Sequence, residues 1–130
     1  MRALVRSAII DDLGLSALGI VDDAAFAVDV DTPVQRPFIQ LRWGRNDPGL
    51  DRVTRRNLVI WVHDNPGDYT VHIDPIILRL RTLLAGLEGM SNGLGHVVAV
   101  EWTGDSEDLS DDGHRTITRT TSFQLVGSGQ

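Results

Sequence analysis

Four histidines and eighteen carboxylates are the side chains with most to offer acid–base or metal chemistry. Imidazole titrates near neutrality and ligates transition metals. A zinc or manganese site needs such groups at i, i+4 on a helix or at alternate strand positions. His63, His72, His96 and His114 share no such spacing. They read as strand-end and surface imidazoles: His63 ends a strand, His72 opens a helix, His96 begins a strand and His114 closes an acidic loop. General acid–base catalysis needs two carboxylates held in different environments over one cleft. Asp11, Asp12, Asp29 and Glu101 stand near element ends and the other carboxylates lie in turns and loops, so no such pair can be placed. The acidic stretch at residues 104–114 carries Asp105, Glu107, Asp108, Asp111 and Asp112. These are hard oxygen donors, but without the alternating spacing and fixed glycine of a calcium loop. The chain has no cysteine, which excludes thiol catalysis, thiolate metal sites and disulfides. It also has no GxxxxGK[ST], GxGxxG, GxSxG or HExxH. The expectation is therefore no catalytic residue, no metal site and no cofactor, and a protein that works by binding.

The charged residues that remain are suited to contacts. Arg52, Arg55 and Arg56 lead into the strongest strand, Arg79 and Arg81 project from the second helix, and Arg115 and Arg119 stand at the start of the last strand. Taken singly they are solvated side chains. Taken with the acidic loop they are opposite patches that could join copies of the chain head to tail, and such contacts close into a ring when the rotation permits. All twelve basic residues are arginine. A GC-rich coding sequence gives that bias, and the planar guanidinium also suits carboxylate partners. The net charge of -6 is opposite to that of a general nucleic-acid binder. A negative loop could instead line a channel through which DNA passes without sticking. Trp43, Trp61 and Trp102 fall at or near the ends of three strands. One belongs to the core, and one left exposed would suit an interface.

The elements that must position these groups follow from periodicity. Residues 1–13 form an amphipathic helix with Leu4, Val5, Ala8, Ile9 and Leu13 on one face, closed by Gly14 as a left-handed cap. Residues 26–30 (FAVDV) read as a short strand, broken by Thr32 and Pro33. Residues 37–43 (PFIQLRW) form a strand with Ile39, Leu41 and Trp43 on one side and Phe38, Gln40 and Arg42 on the other. Residues 54–63 (TRRNLVIWVH) are apolar on both faces at their centre, which places them centrally in the sheet. After the turn at residues 64–68, residues 69–87 form the second helix. Ile73, Ile76, Ile77, Leu80, Leu83, Leu84 and Leu87 make its apolar stripe, with Asp74 as cap and Pro75 in the first turn. Residues 96–103 and 115–126 are two antiparallel neighbours joined by the acidic loop. The last strand has a wet face (Thr116, Thr118, Thr120, Ser122, Gln124) and a packed face (Ile117, Thr121, Phe123, Leu125, with Arg119 among them).

These elements define an α+β fold: a mostly antiparallel sheet of about five strands with two helices packed on one face. The 130 residues fit a single domain over residues 1–126, with residues 127–130 as a frayed tail. Hydrophobic residues at 42% and charged residues at 23% are ordinary globular values. No apolar run is long enough to span a bilayer, and Asp11 and Asp12 interrupt the N-terminal apolar run before it reaches signal-peptide length.

Read as a whole, the order of elements resembles the tail terminator proteins of long-tailed (siphovirus-like) bacteriophages. The residues that carry the resemblance are the opening helix, RPFIQLRWG (36–44), NLVIWVHD (57–64), NPGDYTVHIDPIILRLRTLL (65–84) and VVAVEWTGDSEDLSDDGHRTITRTTSFQLV (97–126). The segment DYTVHIDPIILRLRTLL is the most specific of them. Pro75 departs from the uninterrupted helix of the family and leaves the start of that helix open. The resemblance implies a homo-hexameric ring on the head-proximal end of the tail tube. Such a ring stops polymerisation of the tail tube protein and gives a docking surface to a head-completion or stopper protein. DNA passes through its lumen without specific binding, and the ring is assembled in the host cytoplasm as part of the virion tail, with no membrane contact. A stopper-type head–tail connector subunit and a small cytosolic ligand-binding module or enzyme are the alternatives.

Overall fold

The computed structural model describes residues 1–20, 37–44, 47–48, 54–65, 71–107, 109–111 and 116–128. Its strands are β1 (Phe38–Trp43), β2 (Asp47–Pro48), β3 (Thr54–Asp64), β4 (Ser91–Asn92), β5 (Gly95–Asp105), β6 (Leu109–Asp111) and β7 (Thr116–Ser128). They form one sheet in the order β1-β3-β7-β5-β4, with β2 on β3 and β6 on β7. The pairings within it are antiparallel. With helices α1 (Arg2–Asp11), α2 (Leu13–Ala17) and α3 (Ile73–Ala85), the architecture is the expected α+β class. The described residues hold three helices rather than two, and the predicted strand at residues 26–30 lies outside the described residues.

β3 owes its central place to its apolar run. It pairs with β1 from Leu58 to His63 and with β7 along its whole length, Thr54 to Asp64. The register puts Ile39, Leu58, Ile60, Val62, Phe123 and Leu125 on one face. All are buried, and they share a core with Leu4, Val5 and Ile9 of α1 and Ile73, Ile76, Ile77, Leu80 and Leu84 of α3. The α3 stripe is the predicted one, with Leu83 at its margin.

The end of the first helix differs from expectation. α1 stops at Asp11. Asp12 then turns extended (φ -74, ψ 120), and its side chain accepts from the Leu15 N–H at 2.9 Å to cap α2. The break rotates Leu13 out of the predicted stripe, and it is 85% exposed. Gly14 is therefore a helix residue and not a left-handed cap. Its missing side chain makes room for Arg79 of α3, whose Nε would lie 2.5 Å from a Cβ there. Arg79 donates to both Asp12 oxygens, from Nε at 2.8 Å and Nη2 at 2.6 Å, and ties the α1–α2 corner to α3.

These hydrogen bonds from Arg79 hold the Asp12 carboxyl below its ordinary value of 3.8; burial opposes the shift and the Leu15 N–H assists it. A carboxylate lowered in the folded state stabilises above its unfolded value and gives that up as pH falls through the folded value. Asp12→Ala is expected to cost about 1 kcal/mol at neutral pH through loss of the cap alone. The difference from the parent chain in urea unfolding should shrink once the pH drops below about 4. A difference that is the same at neutral pH and in acid contradicts this account.

The second helix also begins differently. Asp74 is not its cap. His72 occupies that position without a side-chain capping bond, and Asp74 and Pro75 lie in the first turn of α3. Asp74 instead accepts from Arg119 Nη1 at 2.5 Å, joining α3 to the core face of β7.

The hairpin runs deeper than expected. β5 continues to Asp105, and β6 pairs with Thr116–Thr118 of β7, so the stretch predicted as one loop contains the end of one strand and the whole of another. Ser106 Oγ accepts from the Thr120 N–H at 2.9 Å and bridges the gap between β5 and β6. At the other end β7 extends to Ser128. The buried Gly127 pairs with both Thr54 and Val97, so residues 127 and 128 belong to the sheet and not to a frayed tail. No described helix is long and apolar enough to cross a membrane.

Candidate assembly surface

The face of the sheet opposite the core has two parts. At one end lies a buried polar group. His63 is fully buried and stacks on Phe38 at 4.4 Å with the rings 7° from parallel. Its Nε2–H donates to Gln40 Oε1 at 2.9 Å, and its Nδ1 accepts from the Thr118 hydroxyl at 3.1 Å. Thr118 and Thr120 are buried, which corrects the expectation that this side of β7 is wet throughout. Alternation assigns residues to a face and does not say what covers it. At the other end Arg42, Arg55, Asn57 and Glu101 are exposed, while Ser122 and Gln124 of the predicted wet face of β7 are half-buried.

The other histidines serve local geometry. His72 Nδ1 lies 2.8 Å from Asp64 Oδ2, an ion pair when the imidazole is protonated, and His96 Nδ1 donates to the Met90 carbonyl at 3.1 Å. His114 lies outside the described residues. Among the described residues no three His, Cys, Asp or Glu side chains come together as a metal site would need.

The arginines of the sequence analysis divide. Arg79 and Arg119 are bound to Asp12 and Asp74 of the same chain, so they hold helices in place. Arg56 is half-buried, donates to the Gly44 carbonyl at 3.0 Å and lies 5.4 Å over the Trp43 ring. Burial, then nearby Arg2, lower its pKa. Arg55 is exposed on β3. Arg81 stacks on Trp102 at 3.8 Å, with Nη1 4.0 Å from Asp105 Oδ2. Arg52, Asp108, Asp112 and Arg115 lie outside the described residues, and for Asp111 only the main chain is described. Glu107 is exposed beside Asp105.

The three tryptophans separate as well. Trp43 packs against the core, and Trp61 lies under the Arg42 guanidinium at 5.4 Å with its Nε1 buried and without a hydrogen-bond partner among the described residues. Trp102 is the exposed one, at 44%. Its Nε1 donates to Asp105 Oδ1 at 3.0 Å while Arg81 covers one ring face, so the indole is fixed in place at the sheet edge.

That edge is the outer side of β5. Along its first half the turn after α3 covers it. The Gly89 N–H donates to Val97 O at 2.8 Å and the Val97 N–H to Met90 O at 2.9 Å. The Glu88 carboxylate then accepts from the Val100 N–H at 2.8 Å. Register shifts between Val97 and Ala99 and between Trp102 and Gly104 bend the strand further. Such bulges and charges are how natural sheets blunt an edge against strand addition. Sequence reasoning singled out Trp102 but missed Glu88 and Asp12. Glu88 acts across a turn onto a residue twelve positions later, which leaves no periodic signal.

The geometry so far defines a class: an antiparallel sheet with its helices gathered on one face and a half-covered outer edge. A chain from the solved structure of the virion of a native gene transfer agent (GTA) particle has this fold, with a TM-score of 0.71 over 96% of the present chain and 92% of that one. The two are 15% identical, so the likeness is one of fold. No protein-family model and no curated protein matches the chain.

Proposed function

We propose that this chain is a non-enzymatic structural subunit of a phage-type virion and acts as its tail terminator. The observation that carries the reading is the fold shared over nearly the whole of both chains with a component of a virion particle. The order of sequence segments from residue 36 to residue 126 supports the narrower role. In this reading copies of the chain form a hexameric ring in the host cytoplasm. The ring caps the head-proximal end of the tail tube, stops its growth and receives the head-completion or stopper protein, with DNA threading the lumen. In this reading Arg55, Arg81, Asp105 and Glu107, from the residues singled out in the sequence, would make contacts between subunits or partners.

The test is electron microscopy of tail tubes assembled from the tube protein with and without this chain. The expected result is a ring on one end of each tube and tubes that stop lengthening. Tubes that grow at the same rate with bare ends overturn the terminator role. Binding that requires the head connector and leaves tube growth untouched assigns the chain to the stopper-type connector instead.

A further inference from the structure

We propose that the outer edge of β5 beyond Val100 is the surface on which a second copy of this chain docks, presenting its Arg42 and Arg55 to the acidic side chains there. The proposal rests on the ring reading and names the contact through which the ring would close.

Three observations carry it. The first is coverage. The turn after α3 and the Glu88 carboxylate occupy the edge only as far as Val100. Beyond it Trp102, which faces Phe123 of β7 on the helix side of the sheet, is exposed, and no described strand pairs with β5 on its outer side there. The second is preparation. Trp102 is exposed, yet it is held between Arg81 and the Asp105 carboxylate. A large ring already fixed loses little side-chain freedom on binding, and Trp and Arg dominate the energetics of interface centres. Val98, pushed out by the first bulge, is 46% exposed on the same strand.

The third observation is charge. Glu88, Glu101, Asp105 and Glu107 are exposed on or next to this strand, Glu101 on the face opposite Trp102, and among the described ion pairs only Asp105 has a cation beside it, Arg81. At the other side of the sheet, Arg42 on β1 and Arg55 on β3 are exposed on one face, and neither is in a described ion pair. A head-to-tail contact needs two unlike, complementary surfaces on each subunit. The acidic β5 edge and the arginine pair meet that condition. Because Glu88 and the bulges deny a continuous main-chain ladder, the contact is made by side chains, with Trp102 at its centre and the charges at its rim.

The test uses two full-length variants in sedimentation velocity at low salt. One carries Glu101→Arg and Glu107→Arg; the other carries Arg42→Glu and Arg55→Glu. Each alone should self-associate on the order of tenfold or more weakly than the parent chain, because like charges then face each other. An equimolar mixture should regain parental assembly, and high salt should remove that recovery. Trp102→Ala should weaken assembly of the parent chain, while its circular dichroism still shows a folded protein. If the parent chain forms rings and the reversals leave them unchanged, the ring reading stands and this surface is wrong. If two folded variants fail to recover on mixing, the surface is likewise wrong. A parent chain that stays monomeric at every concentration and beside tail tubes overturns both.

Discussion

Phe123→Ala is expected to remove about 3–5 kcal/mol from the unfolding free energy, the largest effect of any single truncation considered. Phe123 is 1% exposed at the middle of β7, opposite Leu58 on β3 and Trp102 on β5. Its ring lies in the core that joins sheet to helices, so truncation leaves a void among buried side chains carried by three paired strands. Those strands are locked in two ladders and can close on it little, and the cost of a cavity grows with the volume left unfilled. Urea unfolding followed by circular dichroism should show a lower midpoint at an unchanged slope. A loss under about 1 kcal/mol would mean that this residue does not hold the layers together. Phe123→Leu leaves a smaller void and should cost less.

The second large effect is expected at Gly127, where the added group is a single methyl. A Cβ at that position would collide with the His96 carbonyl oxygen, and the Met1 sulfur would lie 2.8 Å away. The methionine side chain can move. The carbonyl cannot without opening the β5–β7 ladder, in which His96 faces Ser128 and Val97 faces Gly127. Gly127→Ala is therefore expected to cost about 3 kcal/mol, the upper end of the range for overpacking. Amide exchange localises the damage: protection should fall first where the start of β5 meets the end of β7 and last along the centre of the β3–β7 pairing. An alanine variant as stable as the parent would show that the strands separate here at little cost.

Much of the scaffold was legible because it depends on local periodicity. The stripe of α3, the apolar run of β3 and the packed face of β7 are where alternation and helical spacing place them. The break at Asp12 was hidden because Leu13 keeps the i+4 phase from Ile9 and imitates a longer helix. The residues after Gly104 read as an acidic loop, yet β7 offers Leu109–Asp111 a ready partner, and pairing with an existing strand does not require an apolar composition. The arginines were harder still. Arg79 finds its carboxylate 67 residues away and Arg119 finds its own 45 residues away, so nothing nearby in the sequence distinguishes them from Arg55, which is exposed. Of the contact surface, Trp102 was singled out, while the covering of its strand by Glu88 depends on how a turn closes in three dimensions.

The long ladder between β3 and β7 has a consequence for synthesis. Residues 54–64 find their partners only at residues 117–127. While the chain is being made, β3 emerges with an apolar centre and must wait for more than sixty further residues before its longest partner exists. α3 can form locally in that interval and shield Leu58, Ile60 and Val62, but the sheet cannot close. Distant pairing of this kind slows folding and leaves strand edges open to wrong partners. On the ribosome, the helices are thus the natural guardians of an unfinished sheet.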